Sequence, residues 1–307
     1  MACYAITGGT GMIGMHLAKA LRDRGDDVLI ITRRVPHYDH EIQWDKNRGI
    51  AALHRLEGLR AVFNLTGAPI ADRPWTKRRR QVLWNSRIAA TDTILESLSR
   101  LDKGPEVFVG VGVLGVFGDR GDDILDEDEP SGTGFLADLA GAWQAAHLEA
   151  DRVLNSRAAV LRMSIVLSHT GGAFPLMLRP FRYGIGGWLG NGRQFTSWIS
   201  IRDTVGALLH LADKDECSGH FNGTTPNPIR NYEWCRALGH VLHRPVRTHA
   251  PKWALRGALG ELADGIFLAS VRAVPKKLLD SGYEFVDTDL VETFRWLIMQ
   301  HQELSKK

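Results

Sequence analysis

The feature that most constrains the fold is a glycine-rich segment close to the amino terminus, residues 7–14 (TGGTGMIG). It follows a short apolar run at residues 3–6, which is long enough for a buried strand. After it, apolar residues recur at helical spacing at Ile13, Leu17, Ala20 and Leu21, and Gly25 is typical of the helix end. A strand, a glycine turn and a helix in this order favour a dinucleotide site over an ordinary turn.

The glycines at positions 8, 11 and 14 form the pattern GxxGxxG, a variant of the GxGxxG dinucleotide motif. One glycine permits a tight turn with positive φ, another lets the backbone approach a pyrophosphate, and the last packs the helix on the strand. The free N–H groups and the positive end of the helix then hold the phosphates. This segment therefore predicts a dinucleotide site.

A second strand at residues 28–31 ends in Thr32, Arg33 and Arg34. Sites that prefer NAD carry an acidic residue at this strand end, which binds the ribose 2′-hydroxyl, whereas an arginine accommodates a 2′-phosphate. The basic pair therefore favours NADP over NAD. A pair of solvated arginines without a ligand remains the alternative.

The pattern of strands and helices continues to residue 168. We predict strands at 61–65, 106–113 and 158–166, and helices at 76–98 and 135–154. The turn at 66–69 is expected to form a second wall of the nucleotide site, because ligands lie beyond the carboxyl ends of strands. In the helix at 76–98 the basic run at 77–80 is expected to be solvated, and Arg87 is the better candidate for a ligand contact.

Three segments carry no strand–helix signal. Residues 36–57 are expected to be irregular, with Trp44 isolated among polar residues, and the acidic segment 119–129 to be a solvated loop rather than a metal site. After residue 168 glycines alternate with aromatic residues, which predicts a smaller lid. The proposed division is 1–168 for the nucleotide domain and 169–307 for the substrate or lid domain. A late strand near 220–224 returns to the main sheet, and 226–307 is mostly helical.

Composition narrows the class of protein. The net charge of only +3 over 307 residues does not favour nucleic-acid binding, and no apolar run is long enough for a membrane span. Three widely spaced cysteines fit a reducing cytoplasm, and no pattern indicates a metal site. The expected partner is a small-molecule substrate, and oligomeric state is left open.

Taken together, these motifs resemble the extended branch of the short-chain dehydrogenase/reductase superfamily. More closely they resemble its atypical SDR39U1-like epimerase family, also described as cell-division-inhibitor-like. The resemblance spans nearly the whole chain, and the residues that carry it are 7–14, 32–34, 64–67, 85–87, 117–122, 181–194, 197–199, 221–222 and 274–277.

The resemblance implies an α/β Rossmann-type fold, a doubly wound parallel sheet that holds NADP(H), with a smaller carboxyl-terminal domain. The cofactor-binding residues that it implies are Gly8, Gly11, Met12 and Ile13 at the pyrophosphate, Thr32 and Arg33 at the 2′-phosphate, Leu65 and Thr66 on the adenosine side, and Arg87 and Val166 completing the site. The usual family label, NAD-dependent epimerase/dehydratase, implies a nucleotide-sugar-like substrate by analogy of fold.

The catalytic pair of ordinary short-chain dehydrogenases is missing. There a Tyr and a Lys four residues apart share a helix face, and the Lys charge lowers the Tyr pKa. None of the five tyrosines here is followed by Lys at that spacing, and the expected helix carries Leu139 and Trp143 instead. The family pattern C-R-x-W-E ends in Gln144 here, and its W-I-H-I-D-D has Ser200 in place of His.

The sequence therefore assigns no catalytic residue. Substitutes considered are Asp138, His147, His169 and Arg193, with His147 expected to be solvated or capping. Two hypotheses remain: an NADP-dependent oxidoreductase or epimerase-like enzyme with an unorthodox active site, and a non-catalytic NADP(H)-binding or regulatory protein.

Overall fold

The structure, a computed structural model, describes residues 1–304. The strands are β1 Cys3–Thr7, β2 Asp27–Thr32, β3 Glu41–Asp45, β4 Gly49–Ile50, β5 Ala61–Asn64, β6 Val107–Val113, β7 Ile124–Leu125, β8 Arg157–Met163, β9 Ile165–Leu167, β10 Gly187–Leu189, β11 Phe195–Thr196, β12 Trp198–Ser200, β13 Gly219–Gly223, β14 Ile229–Arg230, β15 Thr248–Ala250 and β16 Arg272–Ala273. The helices are α1 Met12–Asp23, α2 Lys77–Asn85, α3 Ile88–Leu98, α4 Phe135–Leu154, α5 Phe174–Arg182, α6 Ile201–Asp213, α7 Asn231–Val241, α8 Lys252–Leu259, α9 Lys276–Asp280 and α10 Leu290–Leu304.

One large sheet organises the fold, with strand order β13-β8-β6-β5-β1-β2-β3-β4. Its neighbouring strands are parallel except for the β3–β4 pair at one edge. The chain runs outward from β1 through β2 and β3, and then crosses back to β5 on the other side of β1. In such sheets the reversal between β1 and β5 is where ligands bind. The prediction of an α/β doubly wound sheet is confirmed.

Apolar layers cover both faces of this sheet, as parallel strands require. On one face, Leu17 and Leu21 of α1 pack with Leu208 and Leu211 of α6. On the other face, the apolar side of α3 packs with Ala150 of α4. Because α4 ends just before β8 begins, it runs antiparallel to the strands and starts at their carboxyl edge.

The chain after β9 builds a separate apolar cluster from α5, α7 and α10. The Phe294 ring lies edge-on to Trp234 at 4.9 Å and stacks on Phe174 at 5.7 Å. The late strand predicted near 220–224 is present as β13, which pairs in parallel with β8 and so returns the chain to the main sheet.

Four segment predictions were wrong. Residues 36–57 are not irregular, because they form β3 and β4, and Trp44 is buried in the core beneath α3. The helix predicted at 76–98 is two helices that meet at Ser86 and Arg87, and the strand predicted at 158–166 breaks at Ser164 into β8 and β9. The acidic segment 119–129 contains β7, which pairs with β16 near the carboxyl terminus.

Candidate functional site

The glycine turn after β1 admits no larger residues at its first and last glycines. Gly8 has φ of +70°, and a Cβ added there would lie 2.8 Å from the carbonyl oxygen of Leu65. A Cβ on Gly14 would lie 2.6 Å from the carbonyl oxygen of Gly8. The turn is closed by the Gly11 N–H, which donates to the Gly8 carbonyl at 2.9 Å. The turn can pack this closely because Gly8 and Gly14 carry no side chains.

The amino-terminal end of α1 follows this turn directly, at the reversal between β1 and β5. Its cap residue is Gly11, and no side chain caps the first N–H groups of the helix. The helix begins at Met12 and Ile13, for which the family resemblance implies a contact with the pyrophosphate. An uncapped helix start with its positive dipole end is well suited to an anion.

A network of hydroxyl groups holds the turn after β5 against β1. The Thr7 hydroxyl donates to the Asn64 side-chain oxygen at 2.6 Å and lies 3.0 Å from the Thr66 hydroxyl. The Leu65 N–H donates to the Thr7 carbonyl at 3.1 Å. These bonds place Leu65 and Thr66 beside the glycine turn, so the two loops form adjacent walls.

The carboxyl end of β2 presents the two arginines that the sequence assigns to a 2′-phosphate. Thr32 is buried, and its hydroxyl accepts the Arg34 N–H at 3.2 Å. Arg33 and Arg34 are exposed, and within residues 1–304 neither has a carboxylate partner. Both guanidinium groups are therefore available to a ligand.

Arg87 is a buried cation, 5% exposed, at the junction of α2 and α3. Its guanidinium donates to the carbonyls of Ala68 at 2.9 Å and Leu83 at 3.3 Å, and it lies 4.9 Å from the centre of the Trp143 ring. Burial and, secondarily, the Arg79 guanidinium lower the pKa of Arg87 to about 10. In the described part of the chain no carboxylate compensates this charge, so an anion placed here would be stabilised.

The segment that follows β9 lies against the start of α1. A Cβ on Gly172 would be 3.0 Å from the Met12 sulfur, and the His16 ring is 3.0 Å from the Thr170 hydroxyl. Val166 is half-buried in β9, which pairs with β12. The structure thus brings Met12 together with the loop that follows Val166.

The α4 positions where the Tyr-xxx-Lys pair would lie are buried and apolar. Leu139 is 1% and Trp143 3% exposed. The neighbouring Gln144 accepts a hydrogen bond from the Arg162 Nε at 2.9 Å through its side-chain oxygen. None of these three side chains transfers protons, so the structure supplies no replacement at these positions.

The expectation of a solvated or capping His147 was wrong. Its ring is fully buried under Gly110, where an added Cβ would lie 2.3 Å away, and its Nε2 is 3.1 Å from the Asn64 amide nitrogen. Desolvation lowers the pKa of His147 to about 3. The ring is therefore neutral and accepts the Asn64 N–H, which makes it a structural group and not a proton donor.

The other three substitutes have different surroundings. Asp138 is exposed on α4, and Arg193 is exposed with its N–H donating to the Asn191 side chain at 3.0 Å. The His169 ring lies 5.6 Å from Trp296 and 5.7 Å from His16, beside the start of α1. These contacts do not assemble a catalytic group.

Two of the buried charges lie in segments that the sequence analysis expected to be solvated. Arg79, in the run expected to be solvated, is 9% exposed and pairs with Asp72 at 2.6 Å. Glu127, in the acidic segment, is 5% exposed and accepts the N–H groups of Asn222 at 2.9 Å and Lys277 at 3.2 Å, while burial raises its pKa. The burial of Glu127 has no local signal, because its partners lie 95 and 150 residues away, whereas the partner of Arg79 is only seven residues away.

Comparison with known proteins identifies the family to which the chain belongs. The sequence model of the NAD dependent epimerase/dehydratase family matches residues 4–222. The chain belongs to that family. Residues 250–297 also match a domain of unknown function, DUF1731, which covers part of the carboxyl-terminal helical region.

Two relatives show the extent of the similarity within the epimerase/dehydratase family. The epimerase family protein ML0860 of Mycobacterium leprae is 36% identical over 92% of this chain and 92% of its own. The chloroplastic SDR39U1 homologue of Arabidopsis thaliana is 32% identical over 92% of this chain and 82% of its own. The resemblance to the SDR39U1-like group is confirmed.

Two solved structures of similar proteins support the same family assignment. Human epimerase family protein SDR39U1, crystallised with NADPH, is 27% identical, with a TM-score of 0.88 over 97% of this chain and 99% of its own. A nucleoside-diphosphate sugar epimerase of Corynebacterium glutamicum is also 27% identical, with a TM-score of 0.77 over all of this chain and 62% of its own.

Among residues 1–304 no cluster of three or more His, Cys, Asp or Glu side chains is arranged for a metal ion. None of the helices in that range is long and apolar enough to cross a membrane.

Proposed function

We propose that this epimerase/dehydratase-family chain binds NADP(H) and acts as an oxidoreductase or epimerase-like enzyme on a small carbonyl or nucleotide-sugar-like substrate. The observation that carries the cofactor proposal is the uncapped start of α1 behind a glycine turn that has no room for a Cβ at Gly8 or Gly14. A pyrophosphate is the anion that such a turn accommodates. The NADPH bound to human SDR39U1 supports the same assignment.

The residues present fit both charged groups of the cofactor, the pyrophosphate and the 2′-phosphate. Gly8, Gly11, Met12 and Ile13 would hold the pyrophosphate through backbone N–H groups, since no side chain occupies that position. Thr32 and Arg33 would hold the 2′-phosphate, because the Arg33 guanidinium has no other partner among the described residues.

The remaining residues would complete the site. Leu65 and Thr66 would line the adenosine side, and Arg87 and Val166 would close the site. When bound, NADP(H) supplies hydride exchange at its nicotinamide ring. The chain itself would bind and orient the cofactor and the substrate and would exclude water from them. We assign no residue to proton transfer.

The competing proposal is a non-catalytic NADP(H)-binding or regulatory protein. It is favoured by the burial of Leu139 and Trp143, whose apolar side chains occupy the positions where a proton donor would act.

Cys3, Cys217 and Cys235 are all unpaired, which supports a reducing compartment such as the cytoplasm under either proposal.

Two measurements test these proposals. Titration calorimetry with NADPH and NADH should show that Arg33→Ala weakens NADPH far more than NADH, because only NADPH carries the 2′-phosphate. An equal effect on both would refute the 2′-phosphate site. Separately, protein loaded with 4-deuterated NADPH is offered a panel of carbonyl compounds and nucleotide sugars. Loss of label above the blank supports the enzyme, whereas tight NADPH binding without turnover supports the regulatory protein.

A further inference from the structure

The end of α5, the two-stranded ribbon of β10 and β15, and the start of α8 lie side by side in the carboxyl-terminal half of the chain. The Thr248 hydroxyl donates to the carbonyls of Ile185 and Gly186, each at 3.2 Å, which holds the chain after α5 beside β15. After the ribbon, the Gly190 N–H donates to the Ala250 carbonyl at 2.8 Å, just before α8 begins. We call the exposed side chains of residues 176–185 and 244–253 the α5–α8 surface.

Large apolar side chains project from the α5–α8 surface into solvent. Tyr183 is 83% and Trp253 77% exposed, and among the described large apolar side chains only Met1 is more exposed. Leu176 and Ile185 are 60% and 67% exposed. Because Leu176 and Tyr183 are seven residues apart along α5 and its end, they lie on the same side of the helix. Exposed apolar side chains gathered in one region indicate contact with another protein or with a membrane.

The charge of the α5–α8 surface is positive. Residues 152–202 and 234–260 contain no Asp or Glu. Five exposed cations of this surface have no carboxylate within ion-pair distance in the part of the chain that the structure describes; they are Arg179, Arg182, Arg244, Arg247 and Lys252. The surface therefore attracts an anionic partner.

The combination of projecting aromatic groups and cations favours a lipid surface as that partner. Helix α8 has no buried residue, and it begins with Lys252 and Trp253. Amphipathic segments with Trp or Leu beside Lys or Arg lie in the plane of a membrane interface, where the cations attract anionic lipids. A folded acidic protein would have to match the shape of the surface closely, whereas a bilayer accepts any projecting apolar and cationic groups.

We propose that the α5–α8 surface attaches the protein to an anionic lipid bilayer. Tyr183, Ile185 and Trp253 would enter the region between the headgroups and the acyl chains, and the five cations would bind lipid phosphates. Each cation near such a bilayer contributes roughly fivefold to partitioning, and salt screens this contribution. Attachment of this kind requires no membrane-spanning helix. It goes beyond the proposed function and does not depend on cofactor binding.

Sedimentation with lipid vesicles tests the proposal. The full-length chain is mixed with vesicles of phosphatidylcholine alone, or of phosphatidylcholine with one-third phosphatidylglycerol, at low and at high salt. A double variant, Arg182→Ser with Arg247→Ser, removes two charges from the surface. Trp253→Ser removes one apolar group. Because all three side chains are exposed, the variants should fold, and their melting temperatures verify this.

Matched controls carry the same substitutions outside the α5–α8 surface. Arg22→Ser with Arg48→Ser removes two charges from exposed arginines, one on α1 and one in the turn between β3 and β4. Trp84→Ser removes an exposed tryptophan from α2. These controls separate a contribution of the surface from the effect of net charge or of any exposed indole.

We expect the wild type and the controls to sediment with phosphatidylglycerol vesicles but not with phosphatidylcholine alone, and high salt to release them. The double variant should partition roughly 25-fold more weakly, and Trp253→Ser at least about fivefold more weakly. The proposal is overturned by binding to neither vesicle, by equal binding to both, or by variants that bind like their controls. Saturable binding of polyglutamate or of double-stranded DNA without vesicle binding would also overturn it, because the surface would then serve an acidic protein or a nucleic acid.

Discussion

The guanidinium of Arg87 lies over the indole ring of Trp143, with its central carbon 4.9 Å from the ring centre. Trp143 stands where the resemblance places the lysine of a Tyr-xxx-Lys pair. A cation therefore lies beside this position, but it comes from the junction of α2 and α3 and stacks on an aromatic face. This position therefore has a guanidinium beside it and no phenol.

Replacing Arg87 tests whether this buried charge serves a ligand. We expect Arg87→Ala to weaken NADPH binding by roughly 10- to 100-fold, the equivalent of about 1.5–3 kcal/mol for a charged hydrogen bond. Arg87→Lys should recover part of the loss, and Arg100→Ala, at an exposed arginine beyond α3, is the control. Calorimetry gives the affinities. Unchanged affinity with a lower melting temperature would make Arg87 a structural tie between α3 and the loop at Ala68.

Two glycines with positive φ form a matched pair for testing the turn. Gly8 has φ of +70° and Gly25 has φ of +83°, but a Cβ meets the Leu65 backbone only at Gly8 and meets nothing within 4 Å at Gly25. Both alanine variants should lose about 1–2 kcal/mol of stability from the left-handed backbone. Only Gly8→Ala should lose more than that and also abolish NADPH binding. Denaturant unfolding and calorimetry measure the two effects, and equal results for both variants would contradict a specific role for the turn.

The buried His147 predicts a pH dependence of stability. The unfolded chain takes up this proton near pH 6.5, whereas the folded chain does so only near pH 3, because burial lowers the pKa. The stabilising contribution is therefore complete above pH 6.5 and falls, by about 1.4 kcal/mol per pH unit, as the pH drops toward 3. His220, whose pKa burial lowers to about 4, acts in the same direction.

Urea unfolding at pH 7.5 and pH 5.0 measures this effect. We expect the difference in unfolding free energy between the two pH values to be smaller in His147→Leu than in the wild type. Leu17→Ala, in the fully buried face of α1, is the control because it should lower stability by about 2–5 kcal/mol at both pH values and leave the difference intact. A His147→Leu protein with the full wild-type difference would disprove the assignment.

Asp203 is a fully buried carboxylate that ties the start of α6 to residues 283–287. It accepts hydrogen bonds from the Tyr283 hydroxyl at 3.1 Å and from the N–H groups of Val286 at 2.8 Å and Asp287 at 2.9 Å. Asp203→Asn would turn a donor toward one of these donors, so we expect a loss of about 2–4 kcal/mol. Tyr283→Phe removes one bond and should cost about 0.5–1.5 kcal/mol. Unfolding in urea ranks the two, and a smaller loss for Asp203→Asn would contradict the tie.

Several parts of the molecule could be read from neighbouring residues alone. The glycine turn is one, because the left-handed φ of Gly8 and the close packing of Gly14 are set within a few consecutive residues. Helix α4 is another, since its apolar spacing extends over 20 residues and its bounds match the prediction. The glycines of the turn and the arginines after β2 were proposed for the cofactor from local patterns of this kind, whereas Leu65, Thr66, Arg87 and Val166 were implied by the family resemblance.

Other features depended on chain segments far apart. Trp44 looks isolated in the sequence but is covered by α3, and His147 looks like a surface histidine but lies under Gly110 and against Asn64. A cavity of about 500 Å³ between the start of α4 and the segment near Gly265 is lined by residues about 130 positions apart. Backbone conformation is set by sterics over a few residues, whereas burial and charge compensation depend on which distant surfaces meet. The glycine turn could therefore be predicted from its own residues. The burial and protonation state of His147 and the shape of the cavity depend on the tertiary packing of distant segments.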